Sequence, residues 1–278
     1  MKQMKQSIIL LLIVQIFIVS TALPMVQPAA QTGLADQLTE AAFAGNIPET
    51  ERLLKLVNVN AINKSGSTPL YTLAMMHTDS NKAPEIVALL IRSGADVNFK
   101  HPENGYPVLN MFTLTREYPQ LIVPILAAGA NPNVLTPKGE TALHIAAQRN
   151  KKYLIIPLLI GGANPYVVTP SDKMAVDLAT DETVKAMLGN FMLSPDEEKR
   201  LLHIALTLQK AGMVKDVRRI INTAEFNALV DEKLAKLSPL IPSTRFVPMG
   251  TYDDNSIRVA LRDALKNSIM NKLLGIYK

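Results

Sequence analysis

The sequence predicts an all-α protein: a solenoid of about four to five stacked helix pairs, followed by a C-terminal helical region. Three observations carry this. Residues 141–164 read as a short helix, a turn, a second apolar helix and a glycine stop. The end of that stretch recurs as Gly94-Ala95-Asp96-Val97-Asn98, Gly129-Ala130-Asn131-Pro132-Asn133 and Gly162-Ala163-Asn164-Pro165-Tyr166, with glycines 35 and 33 residues apart. Ahead of each stop sits a helix-opening segment: Thr68-Pro69-Leu70-Tyr71, Pro107-Val108-Leu109-Asn110 and Thr141-Ala142-Leu143-His144. Helices this short cannot bury their apolar faces alone, so the copies must stack on one another.

In chain order, residues 1–30 have the layout of a secretory signal peptide. Lys2 and Lys5 make a basic start, and residues 8–19 are apolar except for Gln15. Ser20-Thr21-Ala22 offers small residues for cleavage, and Pro28-Ala29-Ala30 is a second site. The apolar run is shorter than the ~20 residues of a membrane-spanning helix, so the expected location is periplasmic or secreted. An uncleaved inner-membrane signal anchor is the alternative. Cysteine is absent, which excludes disulfides, a thiolate nucleophile, Cys-ligated zinc and a lipoprotein anchor.

Residues 31–190 hold the repeats. A worn first copy shows at Leu38, Ala41, Ala42 and Gly45, then Leu53-Leu54 and Val59-Asn60. In the clearest copy Thr141 caps a helix whose Leu143, Ala146 and Ala147 share one face. Asn150 suits the left-handed residue that ends it. Leu154, Ile155, Leu158 and Leu159 make the apolar stripe of the second helix, stopped at Gly162. Another worn copy follows at residues 174–179. Pro124 and Pro157 fall inside second helices, which predicts that those helices are short or kinked.

A period near 33 with this opener resembles the ankyrin repeat over roughly residues 34–190. The resemblance implies a β-turn finger and two antiparallel helices per repeat, stacked into a curved solenoid. It implies that His144 holds backbone and threonine hydroxyl together. It also implies that partners are bound by the finger tips and the exposed face of the inner helices. Tyr71, Met75, Met76, Asn110, Gln148 and Arg149 are expected to look outward from the inner helices. Lys100, His101, Lys138 and Lys173 belong to the finger tips. Met75-Met76 reads either as an adaptable binding surface or as core filler. The sequence departs from the repeat pattern where Tyr71, Asn110 and Asp177 replace the opener histidine, and where extra residues enter near residues 79–82.

Residues 191–278 lack the period. Ser194-Pro195-Asp196-Glu197-Glu198 is a strong helix start, with that helix running to about Ala211. Further helices are expected at about 214–222 and 224–237, then a proline-broken extended linker. Leu202-His203-Ile204-Ala205 faintly echoes a repeat opener. A last helix begins at Asp254 or Asn255, with Ile257, Leu261, Ala264, Leu265, Ile269, Leu273 and Leu274 on one side and Arg258, Arg262, Lys266 and Lys272 elsewhere. It is expected to cap the end of the solenoid; membrane contact through residues 255–278 is the less favoured role.

No pattern calls for catalysis. His77, His101, His144 and His203 show no metal-ligand spacing, and there is no phosphate loop or nucleophile elbow. Lys151-Lys152 and Arg218-Arg219 read as solvated faces. The formal net charge is +5, too mild to argue for nucleic acid, and tryptophan is absent. The expected function is therefore not enzymatic and uses no cofactor. It is an exported, bacterial-type module that binds a protein partner as an adaptor or an immunity-type inhibitor. The alternative is a membrane-associated or host-targeted effector acting through the basic C-terminal helix.

Overall fold

The computed structural model describes residues 28–75, 82–116, 119–210, 223–241 and 254–274. The leader up to residue 27, Met76, residues 79–81 of the insertion and the expected helix at 214–222 lie outside them.

Five helix pairs follow in order: α1 (Pro28–Phe43) with α2 (Ile47–Leu54), α3 (Pro69–Met75) with α4 (Ala83–Arg92), α5 (Val108–Thr115) with α6 (Pro119–Ala127), α7 (Ala142–Gln148) with α8 (Lys152–Ile160), and α9 (Ala175–Leu178) with α10 (Glu182–Phe191). The odd-numbered helices pack side by side as an inner layer, and the even-numbered ones form an outer layer. Among the described residues the isolated bridge between Lys100 and Pro107 is the extended pairing present.

Local chemistry accounts for these boundaries. The Thr141 hydroxyl accepts from the His144 amide at 3.4 Å, and His144 Nδ1 accepts from the Thr141 amide at 3.2 Å, which closes a reciprocal cap on α7. Asn150 ends that helix with a left-handed φ of 52°. Gly94, Gly129 and Gly162 stop the outer helices with φ of 88°, 89° and 90°, a conformation that a side chain disfavours. The helices α6 and α8 run through Pro124 and Pro157 but are only nine residues long. Each proline carbonyl accepts the next turn's amide, from Ala128 at 3.0 Å and Gly161 at 2.9 Å.

The core is continuous through the stack. Leu70, Leu109 and Leu143, one from each of three successive openers, are at most 1% exposed and belong to one apolar cluster. Burial of each contributes roughly 1.5–3 kcal/mol, several times the net value of a single hydrogen bond.

Three more helices follow: α11 (Pro195–Lys210), α12 (Ala224–Leu237) and α13 (Asp254–Leu273). Three expectations are corrected here. First, α11 is one helix of 16 residues against seven in α7. Its Leu201 is buried while Leu202 and His203 are exposed, so it is no repeat opener. Second, residues 238–240 form a tight helical turn continuing from α12, fastened where the Ser238 hydroxyl donates to the Leu234 carbonyl at 2.8 Å. Third, α12 is what covers the last outer helix, α10, while α13 lies across α12 and reaches back to α8. Leu261, Leu265 and Ile269 of α13 are fully buried in the main core.

One buried polar contact fastens this region. Lys233 is 4% exposed; its ammonium donates to the Met192 carbonyl at 2.6 Å and pairs with Glu197 at 2.9 Å. Glu197 also accepts the Ser194 amide at 2.7 Å. Burial alone would raise the Glu197 pKa, but the hydrogen bonds from Lys233 and Ser194 outweigh it and hold the carboxyl below its ordinary range. Replacing Lys233 by Met strands that carboxylate. The expected cost is about 2–3 kcal/mol in urea unfolding, under the figure for a fully buried pair because Glu197 keeps some water. Lys236→Met removes an ion pair exposed on both sides and should leave the urea midpoint unmoved.

Candidate functional site

Successive units are joined by fingers at residues 55–68, 93–107, 128–141 and 161–174. Side chains that lock one finger to the next decide which residues remain for a partner. At the finger bases runs an asparagine ladder. The Asn60 amide group donates to the Gly94 carbonyl at 3.0 Å and accepts from the Asp96 amide at 2.7 Å. Asn98 does the same to Gly129 at 3.2 Å and Asn131 at 2.8 Å. Asn133 does it to Gly162 at 3.0 Å and Asn164 at 2.7 Å. Tyr166 takes the fourth position; its hydroxyl accepts instead from the Leu193 amide at 2.8 Å.

At the tips, a proline of each finger sits on a glycine of the one before. A Cβ on Gly105 would lie 2.8 Å from Pro137, and one on Gly139 would lie 2.6 Å from Pro170. Gly66 faces Pro102 less tightly, at 3.6 Å. Between base and tip, the fourth residue of each opener reaches forward. The Tyr71 hydroxyl donates to Asn104 at 2.9 Å. The Asn110 side chain donates to the carbonyls of Val134 and Glu140 at 3.2 and 3.3 Å. His144 Nε2 meets the Lys173 carbonyl at 3.3 Å.

These contacts overturn part of the expected binding surface. Tyr71, Asn110 and His101 are 0%, 0% and 5% exposed. The first two point into the following finger rather than outward. His101 stacks on Tyr71 with ring centroids 4.9 Å apart, contacts the Ser65 carbonyl at 3.1 Å and accepts from the Glu103 amide at 3.2 Å. It is the hub of its finger, not a solvated tip. Lys151 is likewise buried instead of solvated: its ammonium donates to the carbonyls of Leu114 and Arg116 at 3.0 and 2.8 Å, at the C-terminal end of α5. One unit earlier, the buried Arg116 guanidinium donates to the Leu73 carbonyl of α3 at 3.1 Å. Cations suit these helix ends, where carbonyls are left over.

Lys100, Lys138 and Lys173 at the fingers are exposed, as are Met75, Gln148 and Arg149 at the ends of inner helices. Met75 therefore takes the surface role of its two readings. The sequence reading missed three residues, Ile62, Leu135 and Val168, which are 45%, 45% and 49% exposed. With Lys100 they share one position, two residues beyond the ladder position held by Asn60, Asn98, Asn133 and Tyr166. That constant offset was the available signal. Among the described residues no group of three or more His, Cys, Asp or Glu is arranged to hold a metal.

The ankyrin repeat family model matches residues 65–102 and 138–170. The E3 ubiquitin-protein ligase KEG of Arabidopsis thaliana is 34% identical over 97 residues, covering 34% of this chain and 6% of that protein. The chain thus spans a small part of the length of this relative.

His144 titrates with a definite sign. Burial lowers its pKa from 6.5, against smaller raising effects of nearby carbonyls. With Nδ1 accepting from Thr141, the neutral ring carries its proton on Nε2, toward the Lys173 carbonyl. The unfolded chain therefore binds more protons here than the folded one just below pH 6.5, and stability falls as pH drops through that window. His144→Asn removes the titration. Urea unfolding between pH 7.5 and 5.5 should show a shallower loss of stability in the variant than in the parent, with the variant about 1 kcal/mol weaker at pH 7.5.

Proposed function

We propose that this chain, an ankyrin-repeat protein, binds a protein partner along its fingers and the exposed ends of its inner helices, after export from the cytoplasm. Ankyrin repeats mediate protein–protein interaction, and the matched stretches include Lys100, Lys138, Gln148, Arg149 and Val168. The observation that carries the reading is the division of labour in those fingers. Tyr71, Asn110, His101, His144 and the ladder asparagines are taken up in joining units. Ile62, Lys100, Leu135, Val168, Gln148 and Arg149 stand exposed beside them on a frame that those joints keep in place.

Export rests on the signal-peptide layout of residues 1–30. Cleavage after either Ala22 or Ala30 leaves the buried Ala35, Leu38, Ala41 and Ala42 of α1 in place, so the mature chain keeps its first unit. In that compartment the role is that of an adaptor, or of an inhibitor that occupies the active surface of another protein.

Two measurements check the two halves separately. N-terminal sequencing of the fractionated protein should find a chain starting between residues 23 and 31 outside the cytoplasm. A cytoplasmic chain starting at Met1 would sink export alone. A photo-crosslinking amino acid at Lys138 or Gln148 should give protein adducts in the native extract, and one at Glu85 on the outer layer should not. Equal labelling from all three sites, or none, would remove the binding face.

A further inference from the structure

The row formed by Ile62, Lys100, Leu135 and Val168 says more about its occupant than the repeat alone does. In the finger 93–107, Lys100 sits opposite Pro107 in extended pairing, with half-buried Phe99 before it and buried His101 after it. Lys100 therefore projects away from the side that the finger packs against. Ile62, Leu135 and Val168 hold the same offset from the ladder and are exposed to the same degree. Singly exposed apolar residues need no explanation; three in one register over four successive fingers, with Lys100 at the second, do.

The spacing of the row follows from the packing. Helices packed side by side sit about 8–10 Å apart, and the asparagine ladder joins each finger base to the next. A β-strand repeats its facing side chains every ~7 Å, which falls out of step after one finger. A polyproline II segment has three residues per turn and rises ~9.3 Å per turn, which keeps step along the whole row. The other finger charges are mixed, with Lys55, Lys64, Lys138 and Lys173 against Asp96, Glu103, Glu140 and Asp172. Within the row itself Lys100 is the charged member, second of four.

We propose that the row binds an extended polyproline II segment of the partner protein. Every third side chain of that segment reads aliphatic, carboxylate, aliphatic, aliphatic, facing Ile62, Lys100, Leu135 and Val168 in turn. This rests on the protein-binding role proposed above and narrows it to one chemistry. The polyproline form is already ordered before binding, so little chain entropy is lost on docking. The aliphatic contacts supply affinity, and the carboxylate opposite Lys100 fixes the register.

The test uses the full-length mature chain and fluorescein-labelled synthetic peptides, read by anisotropy. One peptide places Leu, Glu, Leu and Leu at every third position with proline between, and a second carries the same order reversed. Controls use a two-residue spacing, or Lys in place of Glu. One of the two directions should bind, and both controls should bind about tenfold more weakly or worse. Lys100→Glu should invert the preference between the Glu and Lys peptides. Leu135→Glu and Val168→Glu, at exposed positions, should each weaken binding about tenfold with unchanged circular dichroism. No binding in either direction, indifference to spacing, or an unchanged preference in Lys100→Glu would overturn the proposal. Crosslinked adducts from Lys138 and Gln148 alongside silent peptides would sink this chemistry and leave protein binding standing. Absent adducts would remove the broader reading.

Discussion

A pair of helices mostly seven to ten residues long has no interior of its own, so every unit here is completed by its neighbour. Two kinds of contact do this, and they do different work. Apolar burial at Leu70, Leu109, Leu143 and their surroundings contributes roughly 2 kcal/mol per side chain and holds the layers together. It is non-directional and would tolerate a small slide of one unit on the next. The polar contacts of Asn60, Asn98, Asn133, Tyr71, Asn110 and His144 are each worth only about 1 kcal/mol net. They are directional, and all run from one unit to the next. They set the offset between fingers, and that offset is what a partner meets.

The C-terminal end departs from this nearest-neighbour scheme. Where a fourth ladder asparagine would fall, Tyr166 reaches the Leu193 amide, and the Lys272 ammonium of α13 lies 4.9 Å from its ring centroid. Lys233 ties α12 to the Met192 carbonyl and to Glu197 at the start of α11, while α13 spans from α12 back to α8. One helix thus straps the fourth unit to α12, which itself covers the fifth. Among the described residues the opposite end shows no such strap: Leu38, Ala41, Leu53 and Val57 form a separate small cluster. In a quasi-one-dimensional stack, opening begins where neighbours are fewest, so α1 and α2 are the place for it.

The fold was legible because its signals repeat. Glycine stops, threonine caps and opener leucines recur at one period, and each has a local reason that tertiary packing does not alter. The roles of Tyr71, Asn110, His101 and Lys151 were not legible from helix faces, because their destinations lie in a different repeat. Tyr71 looks outward on a helical wheel, but the direction it takes is filled by the following finger, with Asn104 waiting there. Lys151 reads as a solvated charge until the unsatisfied carbonyls at the end of α5 are brought beside it. The prolines illustrate the same limit: nothing in the sequence pairs Pro102, Pro137 and Pro170 with Gly66, Gly105 and Gly139, and only the stack shows them seated there.

The roles in these fingers are distributed against the usual expectation, in which polar residues meet partners and apolar residues build the fold. Here the ladder asparagines, Tyr71, Asn110, His101 and His144 are committed to construction, because only directional bonds can fix the offset between units. That leaves aliphatic side chains at the outward position, where they take no part in joining one unit to the next. A substitution at Ile62, Leu135 or Val168 therefore leaves the joints of the frame intact. A substitution at Asn98 or His144 moves the frame and changes recognition only as a consequence. The separation follows from the constraint that short helix pairs must borrow their neighbours, since every side chain used for that borrowing is withdrawn from the surface.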